Sequence, residues 1–218
     1  AMHNGLRIRY VTAGEGPQAI LLVHGWTCDS SFWRPQIEDF ARTHRVIAVD
    51  LPGHGGSSKP AIDYTVELFA GAINAAMVHA KIDRAIVAGH SMGVPVAMQF
   101  VQDHPDRALG LVAVDGAVWR MAGKRVGRTP WLNRLNANYP ATAGAYSESM
   151  FVRGTTAAMR REIKTKVLAT PRHVGFSSLD RLADSQVWER GPNRIATLAI
   201  VAGTRPNVQH ARAQQVGL

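Results

Sequence analysis

Only one cysteine, Cys28, occurs in the 218 residues, so no internal disulfide can staple the fold and a hydrophobic core must hold it. No apolar run approaches the length of a membrane span, and Ala1-Met2-His3-Asn4-Gly5 lacks the hydrophobic segment of a signal peptide. A cytoplasmic protein is the expectation. There is no H-x-x-x-H pair with a nearby carboxylate, no cysteine pair and no phosphate-loop spacing, so neither a metal nor a nucleotide is expected and no cofactor is called for. Acidic residues are scarce: 16 Asp and Glu face 25 Lys and Arg, a formal charge of +9. The shortage is local, because residues 118–190 hold 13 basic and 5 acidic side chains while the remainder is nearly balanced. Such a surface either steers acidic substrates or anionic polymers or is a solvated helical face; no nucleic-acid motif accompanies it, and no nucleic-acid partner is expected.

What is present is a chain that is 46% hydrophobic, enough for one principal domain. From Gln18 onward buried strands alternate with helical segments, the pattern of a mostly parallel sheet flanked by helices, an α/β fold. Ala19–Val23, Val46–Val49, Arg84–Ala88, Leu109–Val114 and Ile195–Ala202 read as strands, and Thr65–Ala80 and about Met92–Gln102 as helices. Leu6–Val11 alternates enough to be an antiparallel edge strand. Between Val118 and Arg190 the alternation stops, and Trp119, Trp131, Tyr139, Met150 and Met159 recur at helix-like spacing among basic residues. The expected organisation is a core of 1–117 and 191–218 with a helical cap over 118–190, Gly191-Pro192 marking the return.

Gly89-His90-Ser91-Met92-Gly93 sits between the strand ending at Ala88 and the helical pattern from Val94. G-x-S-x-G in that setting is a nucleophile elbow: Ser91 occupies a sharp strand-to-helix turn that needs small neighbours, and its hydroxyl projects from the sheet. The following amide, at Met92, points to where an oxyanion would form. Two further motifs follow strands, His24-Gly25-Trp26 and Asp50-Leu51-Pro52-Gly53-His54-Gly55.

In this order the three motifs resemble the α/β-hydrolase superfamily, specifically its capped esterase and lactonase-like serine hydrolases, over roughly residues 6–205. The resemblance implies that the Trp26 amide joins that of Met92 in an oxyanion hole, and that His54 belongs to a structural loop secured by Asp50. His90, beside Ser91 rather than opposite it, reads as a packed residue. No metal is implied.

The pattern departs from the family at its end. A serine hydroxyl needs a base and a group that orients it, in the chain order Ser, acid, His. Sixteen residues follow Ala202, which leaves no room for the C-terminal strand and catalytic-histidine loop of the family. Gly203–Gln209 contains no carboxylate. Asp115, after the Leu109–Val114 strand, is the provisional acid, a position some relatives use, with a capping aspartate at a strand end as the competing role. His210 and His173 are weak candidates for the base, which stays unassigned. A missing histidine leaves three explanations open: a shortened relative with weakened activity, a nonstandard base, or a partner chain that completes the sheet, as in a homodimer through an exposed sheet edge.

The expected function is a serine hydrolase, a carboxylesterase or lactonase acting on a small-molecule ester or lactone through an acyl-enzyme. Ser91 and Asp115 are its catalytic residues and Trp26 and Met92 its oxyanion donors. The cap would line an apolar pocket, and its arginines would favour acidic acyl groups. A noncatalytic binding protein that retains the fold, or perhydrolase-type chemistry at the same elbow, is the alternative.

Overall fold

The computed structural model describes residues 1–117, 129–184, 188 and 195–201. The chain opens with a short hairpin, β1 (Met2–His3) with β2 (Leu6–Arg7), and then enters a six-stranded sheet. Its strands are β3 (Tyr10–Ala13), β4 (Ala19–Val23), β5 (Arg45–Val49), β6 (Ala85–His90), β7 (Ala108–Val114) and β8 (Thr197–Ile200), in the spatial order β3-β5-β4-β6-β7-β8. Only β3 is antiparallel.

Alternate residues of the central strands go to opposite faces, as a pleat requires. Ile20, Leu22, Val46, Ala48 and Ala88 lie on one face beneath Ile37 and Phe40 of α1 (Arg34–Phe40). Leu21, Val23, Ile47, Val49 and Val87 lie on the other, with α2 (Val66–His79) and α3 (Gly93–Asp103). Thr65 starts α2 by accepting from the Leu68 amide, and Val66, Phe69, Ile73 and Met77 are its buried stripe. With both faces covered, the strands read as continuous apolar runs, and each fully buried aliphatic side chain contributes about 1.5–3 kcal/mol.

Register decides what the sheet presents. Val23 pairs with Val49 and with Gly89, and Gly89 with Ala113, so β4, β5, β6 and β7 end level. The segments after them, beginning at His24, Asp50, Ser91 and Asp115, therefore leave the same edge, where open α/β sheets hold their ligands.

Among the described residues between β7 and β8 are four helices: α4 (Pro130–Ala137), α5 (Tyr139–Ser149), α6 (Ala157–Ala169) and α7 (Arg172–Asp184). The side chains of Thr129, Asn138 and Thr156 cap the first three. Leu132, Leu135, Tyr139, Val167 and Val174 pack into the α2–α3 side of the core. Polar ties add to this: the Trp26 indole N–H donates to the Gly175 carbonyl at 2.7 Å, the Tyr64 amide to Ser177 Oγ at 2.9 Å, and Lys166 to Ser31 Oγ at 2.7 Å.

The α/β expectation holds, with one correction. Leu6–Val11 is not a single edge strand, since Leu6-Arg7 belongs to the hairpin and the antiparallel edge is Tyr10–Ala13. The break has a physical cause: the Arg9 amide donates to Ser57 Oγ and its carbonyl accepts from the Asp50 amide, so the backbone there serves the loops after β5. The boundaries expected at Val118 and Arg190, together with Trp119, Gly191-Pro192 and His210, lie outside the described residues. Among the described residues no helix is long and apolar enough to cross a membrane.

Candidate active site

Ser91 adopts φ +50°, a left-handed conformation that a non-glycine residue enters at a cost of about 1–3 kcal/mol. Its surroundings hold it there. The Ser91 amide donates to the Val114 carbonyl at 3.0 Å, tying the turn to β7, and the Ser91 carbonyl accepts from the Val94 amide at 3.0 Å. Both glycines of the motif are required: a Cβ on Gly89 would lie 2.2 Å from the Gly93 carbonyl oxygen, and one on Gly93 would lie 2.4 Å from that of Val23. Helix α3 begins immediately afterwards, so its positive N-terminal end faces the serine.

Two neighbours share the left-handed geometry, Thr27 at φ +58° and Asp115 at +43°. Aspartate is among the few non-glycine types that enter it readily, whereas β-branched Thr27 is strongly disfavoured there. Asp115 is held by its amide donating to the Ile200 carbonyl at 2.8 Å, and Gly116 comes so close to the elbow that a Cβ there would stand 2.6 Å from the Ser91 carbonyl oxygen. Strained residues at three adjacent strand ends mark this edge as the place where backbone energy is spent on geometry.

The segment after β4 is secured through His24. Its Nε2 accepts from the Leu51 amide at 3.0 Å, so the proton sits on Nδ1, which donates to the Gly25 carbonyl at 2.8 Å. Burial pushes the ring's pKa down, only partly opposed by the Gly25 contact and by Asp50, and the neutral ring matches both bonds. Gly25 itself abuts the elbow. A Cβ there would be 2.9 Å from His90 Nδ1 and 3.3 Å from Ser91 Cβ. Among the described residues, neither the Trp26 nor the Met92 amide donates to a backbone carbonyl.

Asp50 organises the next loop. One carboxylate oxygen accepts from the Ser30 amide at 2.8 Å, and the other from the Gly56 amide at 2.8 Å and Arg9 at 2.9 Å. Burial raises its pKa, but these donors outweigh burial and hold it below the ordinary carboxylate value. His54 is fully buried, with Nδ1 donating to the Pro52 carbonyl at 2.9 Å, and desolvation with help from neighbouring His24 lowers its pKa to about 3. It lines neither cavity described below.

Two cavities meet at Ser91. One of about 540 Å³ is lined by Ser91, Met92, Trp26 and Asp115 together with Leu179 and Trp188. All four sequence-predicted site residues thus share one chamber. The other, of about 220 Å³, contains Ser91, Trp26 and His90 and is closed by apolar side chains from α5, α6 and the turn between them. Trp26 and Tyr146 border both. Trp26 is wedged edge-on against Trp131, Tyr139 and Tyr146.

Among the described residues His90 is the one histidine in either chamber. Its ring stands edge-on to Trp33, and burial lowers its pKa against the pull of Asp115. His173 lies elsewhere, its Nε2 within 3.2 Å of the Lys59 and Pro60 carbonyls. Cys28 borders the smaller chamber, but burial and then Asp29 push its thiol up to about 12, so it carries no thiolate at neutral pH. Sequence inspection missed Gly116, Tyr146 and Trp188, which carry no local motif.

The sequence matches the family described as alpha/beta hydrolase fold over residues 18–165. The chain belongs to the α/β-hydrolase family. Within this family, the dihydrolipoyllysine-residue acetyltransferase component of the acetoin cleaving system from Cupriavidus necator is 38% identical over 111 residues, 51% of this chain and 30% of that protein. A soluble epoxide hydrolase from Corynebacterium sp. is 38% identical over 115 residues, 53% of this chain and 40% of that protein. The chain therefore spans well under half the length of these curated relatives. Among solved structures, the enol-lactonase from Burkholderia xenovorans LB400 superposes with a TM-score of 0.79 at 24% identity, covering 97% of this chain and 85% of that one. Their activities differ, so membership settles the fold while the chemistry must be argued from the site.

Proposed function

We propose that this α/β-hydrolase is a serine hydrolase acting on small carboxylic esters or lactones. The observation that carries the reading is the convergence in one chamber of a strained Ser91, of Trp26 and Met92, whose amides donate to no backbone carbonyl among the described residues, and of Asp115 on the adjacent strand end. In this reading Ser91 Oγ attacks the carbonyl carbon, the two amides hold the developing oxyanion, the alcohol departs, and water releases the acyl group. Asp115 acts as the acid of the triad and the four inserted helices as a cap. Among the described residues no base is assigned, because the neutral ring of His90 is packed against Trp33. An oxyanion hole and binding acting alone would supply roughly 10³–10⁴ over water.

A fluorophosphonate probe tests this directly. The wild-type chain should be labelled once, and Ser91→Ala should not be labelled. A folded wild-type chain that resists the probe defeats the proposal in favour of a binding protein with a hydrolase fold.

A further inference from the structure

We infer that the two chambers divide the substrate at Ser91, the smaller taking the acyl chain and the larger the leaving group, so that the preferred substrate is an ester of a neutral acid. This rests on the serine-hydrolase reading above. A tetrahedral carbon bonded to Ser91 Oγ carries two diverging substituents, and the partition formed by Trp26 and Tyr146 leaves each its own chamber. Met92 and Asp115 line only the larger one. The smaller chamber, walled by apolar side chains, suits the acyl chain, which leaves the larger one for the departing alcohol.

The chemistry of the smaller chamber fits an alkyl chain. Among the described residues its walls contain no Lys, Arg, Asp or Glu. Two of its hydroxyls are occupied within the protein, Thr27 donating to the Trp26 carbonyl at 2.6 Å and Ser147 to the Gly144 carbonyl at 2.9 Å. An alkyl group beside them therefore strips neither donor of water. The basic side chains nearest the walls are also spent: Arg160 pairs with Glu148 while lying over the Phe151 ring, and Lys166 pairs with Glu162 over Phe32. This reverses the expectation that the basic helices favour acidic acyl groups.

Size sets the length. At about 30 Å³ for a methylene-sized group, 220 Å³ admits about seven groups before packing losses, which points to an acyl chain of about six carbons. Ile163 and Val167, one turn apart on α6, both border the chamber and set that limit.

The test is acylation by p-nitrophenyl acetate, butyrate, hexanoate and decanoate, followed by nitrophenol release and by the intact mass of the protein. In each case Oγ bonds to the acyl carbon, the ester C–O bond breaks to release nitrophenolate, and the Oγ proton passes to water. The acylation rate should rise about fourfold per added methylene up to hexanoate, then fall at decanoate. A monoester of glutaric acid should react at least tenfold more slowly than pentanoate. Ile163→Trp should suppress hexanoate at least tenfold more than it suppresses acetate, and Ile163→Ala should move the optimum to decanoate. A profile flat in chain length, or variants that slow every ester equally, overturns the assignment. If no ester forms an adduct and the fluorophosphonate also fails, the serine-hydrolase reading falls with it; labelling together with a flat profile rejects the chamber assignment alone.

Discussion

Replacing Gly25 with alanine separates the geometry of the site from the stability of the fold. Gly25 has an ordinary φ, so alanine is compatible with its backbone. The added Cβ would meet His90 Nδ1 at 2.9 Å and the His90 carbonyl oxygen and Ser91 Cβ at 3.3 Å, where unstrained contacts lie at about 3.5–4.0 Å. Relief requires the His90 ring to turn and the His24-Gly25-Trp26 segment to recede from the elbow by about 0.5 Å, which is the tolerance within which a catalytic constellation must be held. Losing one oxyanion donor typically costs about 2.7–4 kcal/mol, a factor of about 10²–10³. The expected result is a second-order fluorophosphonate labelling rate at Ser91 reduced by about 30-fold or more, with an unfolding free energy within about 1 kcal/mol of wild type, because the nearest obstacle is a side chain. Gly93→Ala is the contrast, since its Cβ would strike the backbone oxygens of Val23 and His24 at 2.4 and 2.7 Å and should destabilise the fold itself. A folded Gly25→Ala protein labelled at the wild-type rate refutes the placement of the Trp26 amide in the oxyanion hole.

His24→Phe strands the Leu51 N–H, while the Gly25 carbonyl keeps the Cys28 amide as a donor, so at about 1–3 kcal/mol for a buried orphan the loss should be about 1–3 kcal/mol in urea unfolding; a loss below about 0.5 kcal/mol contradicts the bridging role. Stability should also fall on acidification. His54 titrates near 3 in the folded chain and near 6.5 when unfolded, so between those values the unfolded state binds the extra proton and stability rises with pH. His54 alone should make the protein about 2 kcal/mol less stable at pH 5 than at pH 7. Comparison of urea midpoints at the two pH values checks this, and a His54→Gln variant that keeps the whole difference disproves the assignment. Among the described residues β8 is the last strand of the sheet, with Leu198 59% and Ile200 49% exposed, and we propose that this edge pairs with a second copy. Light scattering should then report a dimer that Leu198→Lys disperses; a wild-type monomer at high concentration excludes it.

Much of this molecule was legible from local pattern. Strands β4 to β7 follow from apolar runs, α2 from its capping threonine and buried stripe, and the elbow from its G-x-S-x-G spacing, although only Gly89 has its steric cause within the motif while Gly93 is confined by Val23 and His24. The mistaken edge strand shows where such reasoning ends, because Arg9 bonds to Ser57 and Asp50, more than forty residues away. The sequence leaves Asp115 between a catalytic and a capping role; strand register places it level with Ser91, and its left-handed backbone is tied to β8 by a bond to Ile200. Likewise, nothing near Trp26 announces that its indole donates to Gly175 or that its ring divides two chambers. Periodicity and turn chemistry are properties of neighbours along the chain, whereas the shape and polarity of the cavities are set by residues that meet only after the helices between β7 and β8 have packed over the sheet edge.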